Sequence, residues 1–198
     1  MSDNPNPLPS LQMKLQSLED LPIMSTLPEG YSLRLATQAD TVALAFLLGK
    51  AFPEIVWTTD RARRDLFEDQ TVKEVWIIEF TPLSSSHPLM VATASARQMT
   101  PDSTEGYVHW VGAEPEHRGK GLGLAVTLQV LHRFRDWGLD SAVLETDDER
   151  IPAISTYEKL GFRPIYETHA SYPERWSKIR TQIEEKLQNR ETGQESQP

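Results

Sequence analysis

Glu114-Pro-Glu-His-Arg-Gly-Lys-Gly-Leu-Gly-Leu-Ala-Val126 sets Gly119, Gly121 and Gly123 at alternate positions behind Arg118 and ahead of an apolar run. Glycine costs a helix about 1 kcal/mol per residue relative to alanine, so three of them at a helix start need a reason. A strand end, a tight turn and a helix start gather unpaired backbone N–H groups around one point, and the helix dipole adds partial positive charge there. Glycines let oxygen atoms approach without meeting a Cβ, and Arg118 and Lys120 add charge. The stretch therefore suits a phosphate or pyrophosphate.

Upstream, Tyr31 to Ala36 alternates apolar and polar residues as a strand does. Thr37-Gln-Ala-Asp40 offers caps for a helix running to Phe52. Phe52 to Trp57 reads as loop, and Asp60 to Phe67 as a second helix with a basic face. Val72 to Phe80 and Leu89 to Ala96 form two strands joined by a loop over Pro82 to Pro88, an antiparallel hairpin. Tyr107 to Val111 is a fourth strand, followed by the glycine loop and a helix from Gly121 to Trp137 that Gly138 stops. Ala142 to Thr146 is a fifth strand, the segment through Ala153 and Tyr157 to Leu160 a helix ended by Gly161, and Phe162 to Tyr166 a sixth strand. An amphipathic helix is expected from Pro173 to Leu187. Antiparallel strands come first and helical crossovers join the later ones, which gives a mixed sheet covered by helices, an α/β or α+β fold.

Two familiar anion loops do not match. A Walker A loop wants G-x-x-x-x-G-K-[ST], but Glu114 stands where its first glycine belongs and Gly121 follows Lys120. A dinucleotide fingerprint wants G-x-G-x-x-G directly after a parallel strand; here the spacing is G-x-G-x-G, with Pro115 to Arg118 intervening. Arg118-Gly-Lys-Gly-Leu-Gly123 instead resembles the [Arg/Gln]-x-x-Gly-x-[Gly/Ala] pyrophosphate loop of the GNAT superfamily of acetyl-CoA-dependent N-acetyltransferases. Val111 to Arg118 resembles that family's fourth strand and the lead-in to its loop. Ala153-Ile-Ser-Thr-Tyr-Glu-Lys-Leu-Gly-Phe162 resembles its second signature. The clear resemblance covers Tyr107 to Arg163. One departure stands at Arg150, where the family usually has Asn near the pantetheine arm; an arginine there reaches either a phosphate or solvent.

The resemblance implies a mostly antiparallel sheet of six to seven strands, splayed between the fourth and fifth. It implies acetyl-CoA as co-substrate, held by Arg118, Gly119, Lys120, Gly121, Leu122 and Gly123, with backbone amides of Val111, Gly112 and Ala113 on the thioester and pantetheine. It also implies transfer to a primary amine on a small molecule or peptide, with a homodimer as a frequent family arrangement. The alternative is a degenerate domain that binds CoA or a regulatory ligand without turnover. The amine attacks as its neutral form, and an alkyl amine with a pKa near ~10.4 is neutral less than about 0.1% of the time at pH 7. A base or a desolvating pocket helps, and the departing thiolate benefits from a proton. Tyr157 sits at the family's phenolic acid position. His109, on the fourth strand with Tyr107 and Val111, is the candidate base; Glu145, Glu79 and a water relay are the others. Gly112 is expected to permit a bulge that opens the cleft. Phe52 and Trp57 are candidates to line the acceptor pocket.

Composition sets the outer limits. The 198 residues suit one domain, and 38% hydrophobic with 25% charged residues are globular values. A net charge of −9 disfavours nucleic acid and anionic membranes as partners. With no cysteine there is no acyl-cysteine intermediate, so direct attack in a ternary complex is the economical route. The histidines show no metal-ligand spacing, and no metal is expected. With no export signal or membrane span, a cytoplasmic protein is expected. The expected organisation is a flexible tail over 1–28, with amphipathic turns between Leu11 and Leu21, the GNAT domain over 29–168, and a C-terminal helix and polar tail over 169–198.

Overall fold

In the computed structural model, which describes residues 8–84 and 87–191, the chain forms strands β1 (Leu11–Leu15), β2 (Tyr31–Leu35), β3 (Val72–Phe80), β4 (Leu89–Arg97), β5 (Glu105–Ala113), β6 (Ser141–Thr146) and β7 (Arg163–Pro164). Its helices are α1 (Thr41–Ala51), α2 (Thr59–Arg63, running on into a wider turn at Arg64–Glu68), α3 (Leu122–Asp136), α4 (Ile151–Lys159) and α5 (Tyr172–Glu191). One sheet holds all seven strands in the order β2-β3-β4-β5-β6-β1-β7. Every pairing is antiparallel except that of β5 with β6, which the α3 crossover makes parallel.

The first strand corrects the expected tail. Leu11, Met13 and Leu15 are buried and alternate with Gln12 and Lys14. The strand lies between β6 and β7, with Met13 opposite both Leu144 and Pro164. Five residues with period two suffice here because both edges find partners; the prolines on either side only bound the strand. The strand ahead of the glycine loop, fourth by sequence, is therefore β5. The sixth expected strand shortens to two residues, and the last helix extends to Glu191. Positions 85 and 86 of the expected hairpin loop, and the tail segments 1–7 and 192–198, lie outside the described residues.

α3 packs on one face of the sheet against β3, β4 and β5, and α1 packs on the other against β4 and β5. Under α3 the core gathers Leu11, Met13, Val108, Leu128, Phe134, Leu144 and Phe162. Under α1 and α2 a smaller cluster joins Leu44, Leu48, Phe52, Leu66, Val75 and Ile77. Among the described residues no helix is long and apolar enough to cross a membrane.

Two features open the sheet at its centre. β5 pairs with β6 from Glu105 opposite Ser141 to Val108 opposite Leu144; past Val108 it continues to Ala113 against β4 alone. On the β4 side, Thr93 faces Gly112 while Ser95 faces His109, so Ala94 opposes both Trp110 and Val111. That is a β-bulge, which strengthens the local twist and turns β5 away from β6. The expected splay is present. The bulge, however, is at Trp110, whose φ of 47° is left-handed, and not at Gly112. Gly112 serves close approach: a Cβ there would stand 3.0 Å from the Ala51 Cβ on α1.

Candidate active site

The glycine loop closes the chain between β5 and α3. Gly119 and Gly121 have φ of 77° and 74°, the left-handed region that L side chains avoid. Gly121 is the residue ahead of α3, and no side chain caps that end. The helix's first N–H groups thus keep their hydrogens unshared along its own axis. A Cβ built on Gly119, Gly121 or Gly123 would meet nothing within 4 Å, so the backbone faces open space. Arg118 and Lys120 are exposed there and, among the described residues, have no ion-pair partner. By contrast Arg34, Arg97, Arg133, Arg150 and Arg175 are all paired with carboxylates. An uncapped helix of 15 residues, a cradle without side chains and two unpaired cations fit a diphosphate.

The loop is braced from two sides. His117 Nδ1 and the Tyr31 hydroxyl share a hydrogen bond of 2.7 Å, and the His117 ring stands 5.1 Å from that of Phe80. Glu114 pairs with Lys50 of α1 at 2.6 Å, and its N–H donates to the Val91 carbonyl. The loop is therefore anchored to β2, β4 and α1 before it reaches the glycines.

The bulge divides the remaining site residues between the two faces of β5. Val111 and Ala113 pack against the core under α3, the cluster to which Leu122 and Tyr157 belong. Tyr157 is 5% exposed, and its hydroxyl has no hydrogen-bond partner among the described residues. Burial pushes this phenol up, against a smaller opposing effect of Arg150. It stays protonated at neutral pH and can give a proton.

His109 and Trp110 point the other way, because a bulge puts two successive side chains on one face. Their rings are 4.6 Å apart, and Tyr107 lies 5.4 Å from His109. Trp110 meets Phe52 at 5.2 Å and Trp57 at 4.7 Å, both edge-on. Phe52 and Trp57 thus both pack against the Trp110 ring. His109 Nδ1 receives Arg97 Nη1 at 3.4 Å, and Asp69 holds the same guanidinium at 3.0 Å. Burial, then Arg97, push the His109 imidazole down to about 3, with Asp69 opposing. Such an imidazole is neutral at working pH and a weak proton acceptor, which counts against the base role expected of it.

Of the other expected bases, Glu79 is committed to Arg34, which it meets at 2.9 Å beside Asp40. Glu145 is exposed on β6, accepts from Gln12 at 3.2 Å and sits beside Tyr107. Arg150 makes its contacts with protein groups. It bonds Asp147 at 3.1 Å, pairs with Glu54 and lies 4.4 Å from the centre of the Phe52 ring. The side chain ties the start of α4 to the α1–α2 loop. Sequence reasoning missed Trp110, Arg97 and Glu54. The bulge that brings Trp110 round leaves no mark in residue order, and Arg97 reaches His109 only through the β4–β5 register.

Comparison with known proteins agrees with this geometry. Residues 43–162 match the family described as "Acetyltransferase (GNAT) family". Mycothiol acetyltransferase of Thermomonospora curvata is 31% identical over 166 residues, covering 77% of this chain and 50% of that protein. Mycothiol acetyltransferase of Thermobifida fusca is 39% identical over 74 residues, 37% of this chain and 23% of that one. The chain spans half or less of the length of these curated relatives. Among solved structures, a GCN5-related N-acetyltransferase from Sphaerobacter thermophilus superposes with a TM-score of 0.59 at 20% identity, over 80% of this chain and 50% of that one. The yncA protein of Salmonella typhimurium, solved with its cofactor acetyl-CoA, gives 0.54 at 19% identity, over 68% and 80% of the chains. The likeness to these structures shows the fold, and the matched family covers more than half of the chain. The chain belongs to the GNAT acetyltransferase family, a family of acyltransferases.

Proposed function

We propose that the protein is a cytoplasmic N-acetyltransferase moving an acetyl group from acetyl-CoA to a primary amine by direct attack in a ternary complex. The observation that carries this reading is the glycine cradle with two cations that, among the described residues, have no ion-pair partner, set after the stretch of β5 that has left β6. Acetyl-CoA supplies an activated acyl group on a thioester. The N–H groups at Gly119 to Gly123, with Arg118 and Lys120, hold the diphosphate. The backbone amides of β5 from Val111 to Ala113, past the point where the strand pairs with β6, take the pantetheine and the thioester oxygen.

In the transfer, the amine nitrogen bonds to the carbonyl carbon as the carbon–sulfur bond breaks. Tyr157 gives its phenolic proton to the sulfur, and the proton lost by the nitrogen passes to water. His109 is not assigned to proton removal, because its Nδ1 faces the Arg97 guanidinium. Arg118→Gln with Lys120→Gln should weaken coenzyme A binding by one to two orders of magnitude, read by calorimetry. Release of free thiol from acetyl-CoA over a panel of amines tests turnover. Binding without transfer to any amine would instead indicate a regulatory module.

A further inference from the structure

His117 ties the glycine loop to the outer strand of the sheet. It is the last residue of the short turn Pro115–His117, and Arg118 and Lys120 follow it. Its ring stands edge-on to Tyr31 of β2, 5.7 Å between centres, and 5.1 Å from Phe80 of β3, while those two rings are 4.7 Å apart. Within this aromatic group the Tyr31 hydroxyl and His117 Nδ1 are 2.7 Å apart. That hydrogen bond survives a change of charge, because a phenol hydroxyl both donates and accepts. It gives its hydrogen to a bare Nδ1 and takes one from Nδ1–H once the ring is an imidazolium. His109 has no such freedom, since the Arg97 guanidinium opposite its Nδ1 only donates. The charges around His117 are divided. Tyr31 and Phe80 bring no formal charge from β2 and β3, and the next residue, Arg118, is exposed. Burial, then Lys120, hold the imidazole below its ordinary value, with Glu114 and Glu116 of the turn against them. Glu114 is itself paired with Lys50 of α1.

We propose that His117 is a positioning residue that takes up a proton together with the coenzyme, so that the loop grips a diphosphate more tightly as pH falls. The negative charges of the diphosphate neutralise Lys120 and Arg118. Glu114, Glu116 and the diphosphate itself then act on the ring, and all of them favour the imidazolium. By linkage, the factor by which the ligand raises the ring's affinity for a proton is the factor by which the proton raises affinity for the ligand. The Tyr31 hydroxyl holds the ring in both states, so the loop keeps its shape while its charge changes.

The proposal rests on the acetyl-transfer reading for its ligand, but its test does not need turnover. The probe is dephospho-coenzyme A, whose diphosphate does not titrate near neutral pH and which lacks the 3′-phosphate, with its second ionisation near ~6. Calorimetry on the full chain at about pH 8 and about pH 5.5 should show the Kd falling at least about threefold. Heats in two buffers of different ionisation enthalpy should show protons entering the complex. The His117 imidazole signals, assigned from His117→Gln, should give a midpoint that rises on binding. His117→Gln should bind without proton uptake and with a flat Kd over the same range. Tyr31→Phe keeps the ring contacts and loses the hydrogen bond, so it should weaken binding at both pH values and leave the uptake in place. An unmoved midpoint, proton release, or the same pH dependence in His117→Gln would overturn the proposal. Failure of dephospho-coenzyme A to bind at either pH would overturn the acetyl-transfer reading with it, whereas binding with an unmoved His117 midpoint would leave that reading standing.

Discussion

Single residues separate chemistry from stability here. Tyr157 has a buried ring and a hydroxyl with no hydrogen-bond partner among the described residues, so Tyr157→Phe removes a proton donor without breaking a hydrogen bond seen there. The variant should keep its melting temperature and its coenzyme affinity while kcat falls about a hundredfold or more; an unchanged kcat would remove Tyr157 from the reaction. Gly121→Ala tests the cradle. The left-handed φ costs about 1 kcal/mol for any side chain, and the new Cβ projects into the space assigned to the diphosphate. Calorimetry should show a far larger loss of coenzyme binding than of folding stability. His109 makes the fold itself sensitive to pH. Its folded value lies near 3, below the 6.5 of an unfolded histidine, so the unfolded chain takes up a proton first as pH falls. The stabilisation is whole above pH 6.5 and drains away toward pH 3, amounting to about 2 kcal/mol by pH 5. Between pH 7 and pH 5, denaturant titrations of the native protein should lose that much more stability than those of His109→Gln.

At the scale of elements, patterns short in sequence were legible and those set by partners were not. The helices from Thr41 and Leu122, the β3–β4 hairpin and the α4 segment follow from local periodicity and caps, as does the position of the glycine loop. The loop's role and that of Tyr157 became readable through family resemblance. β1 was missed because five residues among prolines carry little signal alone; their strand state comes from pairing with β6 and β7, 125 or more residues away. The bulge at Trp110 was misplaced to Gly112 because glycine is the usual marker, whereas the register against β4 decided it. β1 therefore makes a sharp prediction. Met13 is fully buried between two strands, and Met13→Asp would bury a carboxylate with no counter-charge. The loss should exceed about 3 kcal/mol and remove β6 and β7 from the cooperative unit. Hydrogen exchange at Leu144 would then approach that of an unfolded chain, while amides of the β3–β4 hairpin stay the better protected.

The whole molecule sets an electrostatic problem, because a chain of net charge −9 is assigned a ligand carrying several negative phosphates. Most of its arginines are spent on carboxylates: Arg34 on Asp40 and Glu79, Arg133 on Glu74 and Asp136, Arg175 on Asp148. Among the described residues Arg118 and Lys120 have no ion-pair partner and sit beside the uncapped end of α3, so attraction is strong at that spot while repulsion is spread over the surface. The two respond differently to salt. Contacts within a few ångströms of the diphosphate lie inside the Debye length of about 10 Å at 0.1 M and are weakly screened; the diffuse repulsion acts from farther away and is screened strongly. Raising salt from about 20 to about 300 mM should therefore weaken both effects in the native protein and change the coenzyme Kd by less than about threefold. In the Arg118→Gln, Lys120→Gln variant the side-chain attraction is gone and only the helix end is left against the diffuse repulsion. Its residual binding should tighten as salt rises, and a Kd that climbed with salt in that variant would place the attracting charges elsewhere on the molecule.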